Sequence, residues 1–210
     1  MKFQKIGFSL LAFSLLSSLA LAQGLKTGAP GATAPKNGEK VAVIDTNHGQ
    51  IVLKFFPKLA PKHVENFQTL AKKGFYDGTI FHRVIPGFMI QGGDPNTKPG
   101  VGGPPGQGGP GYTIKAEFNS THHSRGILSM ARAQDPDSAG SQFFITVADA
   151  GFLDNQYTVF GQVVKGMDVV DKIVALPRIA GDMPSPTPAT MTHVKIATWP
   201  LGKSTAKKHK

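Results

Sequence analysis

The sequence predicts a mainly β protein, a closed barrel with two helices laid over it. Short runs rich in β-branched and aromatic residues recur from Val41 to Trp199, separated by Gly, Pro, Asn and Asp. Only two segments carry a helical period, and both are short. Many strands with few helices favour a sheet closed on itself, which buries one face and hides its edges.

Val41–Thr46 and Gly49–Phe55 read as a hairpin around Asn47-His48-Gly49. Pro61–Lys73 is the first helix. Pro61 suits its first turn, Val64, Phe67, Leu70 and Ala71 form one apolar stripe, and Lys72-Lys73-Gly74 ends it. The following strands are Ile80–Val84, Phe88–Gln91, Tyr112–Lys115, Ile127–Met130, Phe143–Val147 and Val159–Val164. Met167–Leu176 is the second helix, with Met167, Val170, Ile173 and Val174 inward, and Val194–Trp199 is the last strand. Pro95–Gly111 is too rich in Gly and Pro for a strand, and Pro177–Thr192, with four prolines, reads as a loop.

Residues 1–22 read as an export signal. Lys2 and Lys5 supply the positive region, Ile6–Leu21 the apolar region, and Ala20-Leu21-Ala22 the small-residue cleavage site. A periplasmic or secreted protein is the expectation. Residues 23–38, rich in Gly, Ala, Pro and Thr, read as a flexible linker. Residues 39–200 form the folded domain and 201–210 a disordered basic tail. The chain has no cysteine, which excludes disulfides, thiol chemistry and Cys-based zinc sites. Its formal net charge is +10, but no interleaving of basic and aromatic residues supports nucleic-acid binding.

The residues also narrow the chemistry. Ser129 and Ser141 lie near apolar runs without a nucleophile elbow. His82 alternates away from Arg83 and reads as a packing or capping residue. His122 and His123 splay apart in what reads as an exposed loop, short of the three or four ligands a metal needs. Asp135, Asp137, Asp149 and Asp154 read as turn residues. What remains is a neutral set: Arg83 and Gln91, sharing a face across Pro86-Gly87, with Gln142 and aromatic neighbours. A guanidinium and amides beside an apolar floor suit a proline-containing peptide and one process, rotation of its X-Pro bond.

Phe81–Asp94 and Ser141–Ile145, with Leu128-Ser129-Met130-Ala131 and Val159-Phe160-Gly161 in order, closely resemble the cyclophilin family of peptidyl-prolyl cis-trans isomerases. The resemblance runs from Val41 to Trp199 and implies a closed eight-stranded antiparallel β-barrel capped by two α-helices, its site in an outer groove. It makes Arg83 the catalytic arginine and Phe88, Met89, Phe144 and Leu153 the proline pocket. Gln91 is to bind the substrate backbone and help hold Arg83. Ala131, Arg132 and Ala133 fall where the residues before proline bind, with Gln142 and Gly100 as further contacts. Phe152 stands where many eukaryotic members have tryptophan, so weak cyclosporin binding is expected, and Tyr157 replaces the usual histidine at the pocket edge. Arg132 replaces a common asparagine and adds positive charge beside the groove, favouring acidic residues before proline. No metal or cofactor is expected. A closed barrel has no free edge to pair, so a monomer is expected. The alternative is a module or chaperone that holds proline segments without turnover; the presence of Arg83 argues against it.

Overall fold

The computed structural model describes residues 31–184 and 187–202. The segment expected to be an export signal, residues 1–22, and the tail from residue 203 onward lie outside the described residues. Among the described residues, no helix is long and apolar enough to cross a membrane. The described part of the expected linker is held against the sheet: Gly38 N–H donates to Trp199 O at 2.8 Å, and Ala32 packs on the apolar core.

Among the described residues, ten strands and two α-helices follow in chain order: β1 Lys40–Thr46, β2 Gly49–Phe55, α1 Pro61–Lys72, β3 Arg83–Ile85, β4 Met89–Gly92, β5 Ile127–Met130, β6 Phe143–Thr146, β7 Val159–Lys165, α2 Met167–Val174, β8 Arg178–Ala180, β9 Met183–Pro184 and β10 Met191–Thr198. Eight strands form one antiparallel sheet in the order β10-β1-β2-β7-β5-β6-β4-β3, and β8 and β9 form a separate hairpin.

The sheet is curled but open, contrary to the closed barrel expected from sequence. No ladder joins its end strands β3 and β10. The chain just before β3 does meet the start of β10, through the bridge Ile80↔Thr190 and the bond from Phe81 N–H to Ala189 O at 2.9 Å. Beyond that point the outer edge of β3 turns to the β8–β9 hairpin, where Val84 N–H donates to Asp182 O at 2.8 Å. An edge donor already bound there is not available to close a barrel.

Two further expectations change. Tyr112–Lys115 is no strand but a single bridge, Ile114↔Ala139. The amides that would extend the pairing go to side chains instead: Ala116 N–H to Asp137 Oδ1 at 2.9 Å and Glu117 N–H to Thr158 Oγ1 at 3.0 Å. Within Pro177–Thr192, read as a loop, β8 and β9 pair around Gly181, whose φ of +54° suits a tight turn, and β10 begins at Met191.

Inward-facing alternate residues and one face of α1 build the core. Phe67 of α1 sits at its centre, with ring centroids 4.8 Å from Tyr76, 5.3 Å from Phe143, 5.7 Å from Phe55 and 5.9 Å from Phe160. The free N–H groups at the start of α1 find their acceptor in another segment: the Glu117 carboxylate takes Lys62 N–H at 3.1 Å and His63 N–H at 3.0 Å.

Candidate active site

Strand alternation sends neighbouring residues to opposite faces of the sheet, and the described residues hold three separate apolar clusters, two of which meet at the strands of the site. Val84, Ile90, Leu128, Phe143 and Ile145 point into the core. Their neighbours Met89 and Phe144 point outward, where with Ala150 and Leu153 they form a separate buried cluster bordered by Ile85, Phe88, Ala131 and Tyr157. A hydrophobic cluster on the outer face of a curled sheet is a floor for something else to sit on.

Arg83 and Gln91 stand directly opposite each other on β3 and β4, on the shared outer face expected from sequence. Arg83 lies at the rim of a cavity of about 270 Å³ lined by Phe88, Met89, Gln91, Phe144, Leu153 and their neighbours Ala131, Arg132, Phe152 and Tyr157. Met89, Phe144 and Leu153 are buried, whereas Phe152 is 66% exposed on the rim, 5.3 Å from Phe88 between ring centroids. Tyr157 meets Phe144 edge-on at 5.8 Å. The Arg132 guanidinium lies 4.6 Å over the Tyr157 ring, while its N–H groups donate to the carbonyls of Ala133, Gln134 and Gln156. Arg132 is thus fixed as part of the wall.

A second groove of about 420 Å³ shares Gln91, Ala131 and Arg132 with the first. Gln142, Ala133 and the segment Gly106–Pro110 are among its other lining residues. Gln142 organises this side: its Oε1 accepts from Gln91 Nε2 at 2.9 Å, and its own amide nitrogen donates to Gly106 O at 2.9 Å and Gly108 O at 2.8 Å. Asp94, fully buried, secures the same loop by accepting from Asn96 N–H and Gly106 N–H. Gly100 lines neither cavity; it lies in an exposed turn of that loop with φ of +76°. Every other residue expected at the site comes to one of the two cavities.

Gln91, expected to help hold Arg83, is engaged with Gln142 instead. Arg83 Nε donates to Asp182 Oδ2 at 3.1 Å. The sequence reading passed over Asp182, which lies in a segment read as loop. It also passed over the support beneath Phe144. His123, expected in an exposed loop, is fully buried and stacks on Phe144. Asp154, expected only as a turn residue, accepts from His123 N–H and contacts both imidazoles: His123 Nδ1 at 2.9 Å and His122 Nδ1 at 2.6 Å. His122 also meets Asp149 at 2.5 Å. His82 is buried as expected, and burial pushes its pKa down, with the Asp94 charge acting in the opposite direction. No group of three or more candidate metal ligands occurs among the described residues.

A family model described as cyclophilin type peptidyl-prolyl cis-trans isomerase matches residues 41–196. A protein of Brucella abortus named probable peptidyl-prolyl cis-trans isomerase is 44% identical over 164 residues, covering 75% of this chain and 84% of that protein. A peptidyl-prolyl cis-trans isomerase of Helicobacter pylori is 49% identical over 136 residues, covering 63% of this chain and 78% of its own length. Among solved structures, a cyclophilin type peptidyl-prolyl cis-trans isomerase of Cryptosporidium parvum, crystallised in the presence of the dipeptide Ala-Pro, superposes with a TM-score of 0.68 at 33% identity. That match covers 75% of this chain and 99% of the other. The chain belongs to the cyclophilin-type peptidyl-prolyl cis-trans isomerases.

Proposed function

We propose that the protein accelerates X-Pro rotation in exported polypeptides, with Arg83 acting on the prolyl nitrogen and without a covalent intermediate or cofactor. The observation that carries this reading is Arg83 at the rim of an apolar cavity floored by Met89, Phe144 and Leu153. The proline ring occupies that cavity. The residues before proline run across Ala131, Arg132 and Ala133 toward the second groove, and Gln91 bonds the substrate backbone.

The chemistry follows from amide resonance. The planar bond resists rotation with a barrier of roughly 18–20 kcal/mol, and uncatalysed exchange takes tens to hundreds of seconds. As the bond twists, the nitrogen lone pair leaves conjugation and becomes a hydrogen-bond acceptor. An Arg83 N–H donated to it stabilises the twisted state more than either planar isomer, which is the condition for catalysis. Rotation breaks no σ bond, so no proton transfer or nucleophile is required. A buried apolar floor also favours a twisted amide, which has lost part of its charge separation.

Export rests on the sequence of residues 1–22, whereas the monomer expected from a closed barrel loses that warrant because the sheet is open. Two-dimensional NMR exchange on a short Ala-Pro peptide tests the central reading. Fast cis–trans exchange with the wild-type protein that collapses in a folded Arg83→Ala variant supports it. No enhancement by the folded wild-type protein overturns it for this substrate class and leaves a groove that only holds proline segments.

A further inference from the structure

We propose that Asp182 is the positioning residue for Arg83, fixing the guanidinium through Nε so that its remaining donors face the prolyl amide. This inference rests on the isomerase reading of the same groove. Asp182 engages β3 twice. Its carboxylate accepts from Arg83 Nε at 3.1 Å, and its main-chain carbonyl accepts from the amide of the next residue, Val84, at 2.8 Å. One residue therefore ties down both the outer edge of the strand and the side chain that the strand presents.

The need for such a tie is geometric. β3 has only three residues and ends the sheet. The Arg83 side chain is itself half-exposed, with no other hydrogen bond or ion pair among the described residues. An arginine so placed is free to sample many rotamers, and few of them aim its N–H groups at the cavity. A guanidinium is planar with five donors in a fixed fork, so anchoring Nε restricts the plane while leaving the Nη donors for other partners. Asp182 sits at the turn of the β8–β9 hairpin, beside Gly181, and the hairpin's docking on β3 brings its carboxylate to Arg83. Since both members of the pair are 43% exposed, the contact contributes little to stability. Its consequence lies in orientation, which affects the transition state rather than substrate binding.

The test compares wild-type protein, Asp182→Ala, Asp182→Asn and Arg83→Ala by NMR exchange on an Ala-Pro peptide. The Arg83 Nε–Hε cross-peak and the Val84 amide are followed in parallel. In Asp182→Ala, kcat falls about tenfold while KM stays within about twofold. Asp182→Asn, which keeps an oxygen acceptor, falls less. In Asp182→Ala the Arg83 Hε proton exchanges faster with water, and the Val84 amide stays protected. If Val84 loses protection in Asp182→Ala, the hairpin has undocked and Asp182→Asn decides: a lowered kcat with Val84 protected supports the role. Wild-type kcat in the variants that keep Val84 protected, beside an inactive Arg83→Ala, overturns the proposal. So does an Hε signal indifferent to loss of the carboxylate. Absence of catalysis by wild-type protein is a separate result: it removes the isomerase reading and the positioning role with it, while the cross-peak still reports whether the two side chains are paired.

Discussion

His123 lies flat behind Phe144, ring centroids 6.2 Å apart and planes within 13°. The floor of the proposed proline cavity is thus backed by a buried imidazole. That imidazole is held at one nitrogen by Asp154, and its Nε2 lies 3.1 Å from Ser129 Oγ. Asp154 immediately follows Leu153, another floor residue, so one carboxylate braces two parts of the pocket from below.

This arrangement predicts two adjacent histidines that titrate apart. Hydrogen bonds from His122 to Asp154 and then Asp149 raise the His122 pKa above its ordinary value. Burial lowers that of His123, only partly offset by Asp154. For His122, the folded pKa exceeds the unfolded value of about 6.5. Its contribution to stability is therefore fully present below that pH and is lost as pH rises through the folded value. NMR titration should place the His122 midpoint above 6.5 and the His123 midpoint below it. Asp154→Asn should move both midpoints down, since each imidazole loses its anionic partner. Unmoved midpoints would show that these contacts do not persist in solution.

Asp154 also sets an acid limit. Hydrogen bonds from His122 and then from the His123 amide and ring hold its carboxyl well below the usual carboxylate range. A depressed carboxylate contributes stability that is present above its unfolded pKa of about 3.9 and is lost as pH falls toward the folded value. Urea midpoints measured between pH 5 and pH 2 should drop for wild-type protein, with a shallower drop in Asp154→Asn. Equal slopes would place the acid sensitivity in other carboxylates.

Phe144→Ala should separate stability from catalysis. The ring is 4% exposed and meets both His123 and Tyr157. Its removal should cost about 3–5 kcal/mol of stability, as for other buried aromatic residues. Because Phe144 lies outside the main core, the fold should survive while the cavity loses its floor. Chemical denaturation and peptide exchange on the same sample check both parts. Full activity in the folded variant would place the proline ring elsewhere.

The limits of the sequence lie at identifiable residues. β5, Ile127–Met130, has the bounds expected from its pattern, a short apolar-rich run that follows Gly126. The shared face of Arg83 and Gln91 was legible for a similar reason: strand alternation fixes it once the Pro86-Gly87 turn is placed. Asp182 was not legible. It lies 99 residues from Arg83, in a segment whose prolines mask a short hairpin. Nor was the burial of His123, since polar neighbours on both sides suggested an exposed loop, and the tertiary approach of Asp154 and Ser129 to its two ring nitrogens makes that burial tolerable. The open sheet has the same origin as the missed aspartate. The hairpin that brings Asp182 to Arg83 also takes the amide that barrel closure would use.

Phe152 yields a prediction about ligand choice. It stands 66% exposed on the cavity rim, against Phe88, and carries no polar atom. A tryptophan there would add an indole N–H to the edge of the groove. A net hydrogen bond of about 1 kcal/mol corresponds to roughly a fivefold change in affinity. Phe152→Trp should therefore bind cyclosporin at least that much more tightly than wild-type protein, measured by calorimetry. Turnover of an Ala-Pro peptide should change little, because Arg83 and the floor of Met89, Phe144 and Leu153 are left unaltered. If the variant gains no affinity, cyclosporin sensitivity must be set elsewhere in the groove, and the Arg132–Tyr157 stack becomes the feature to alter next.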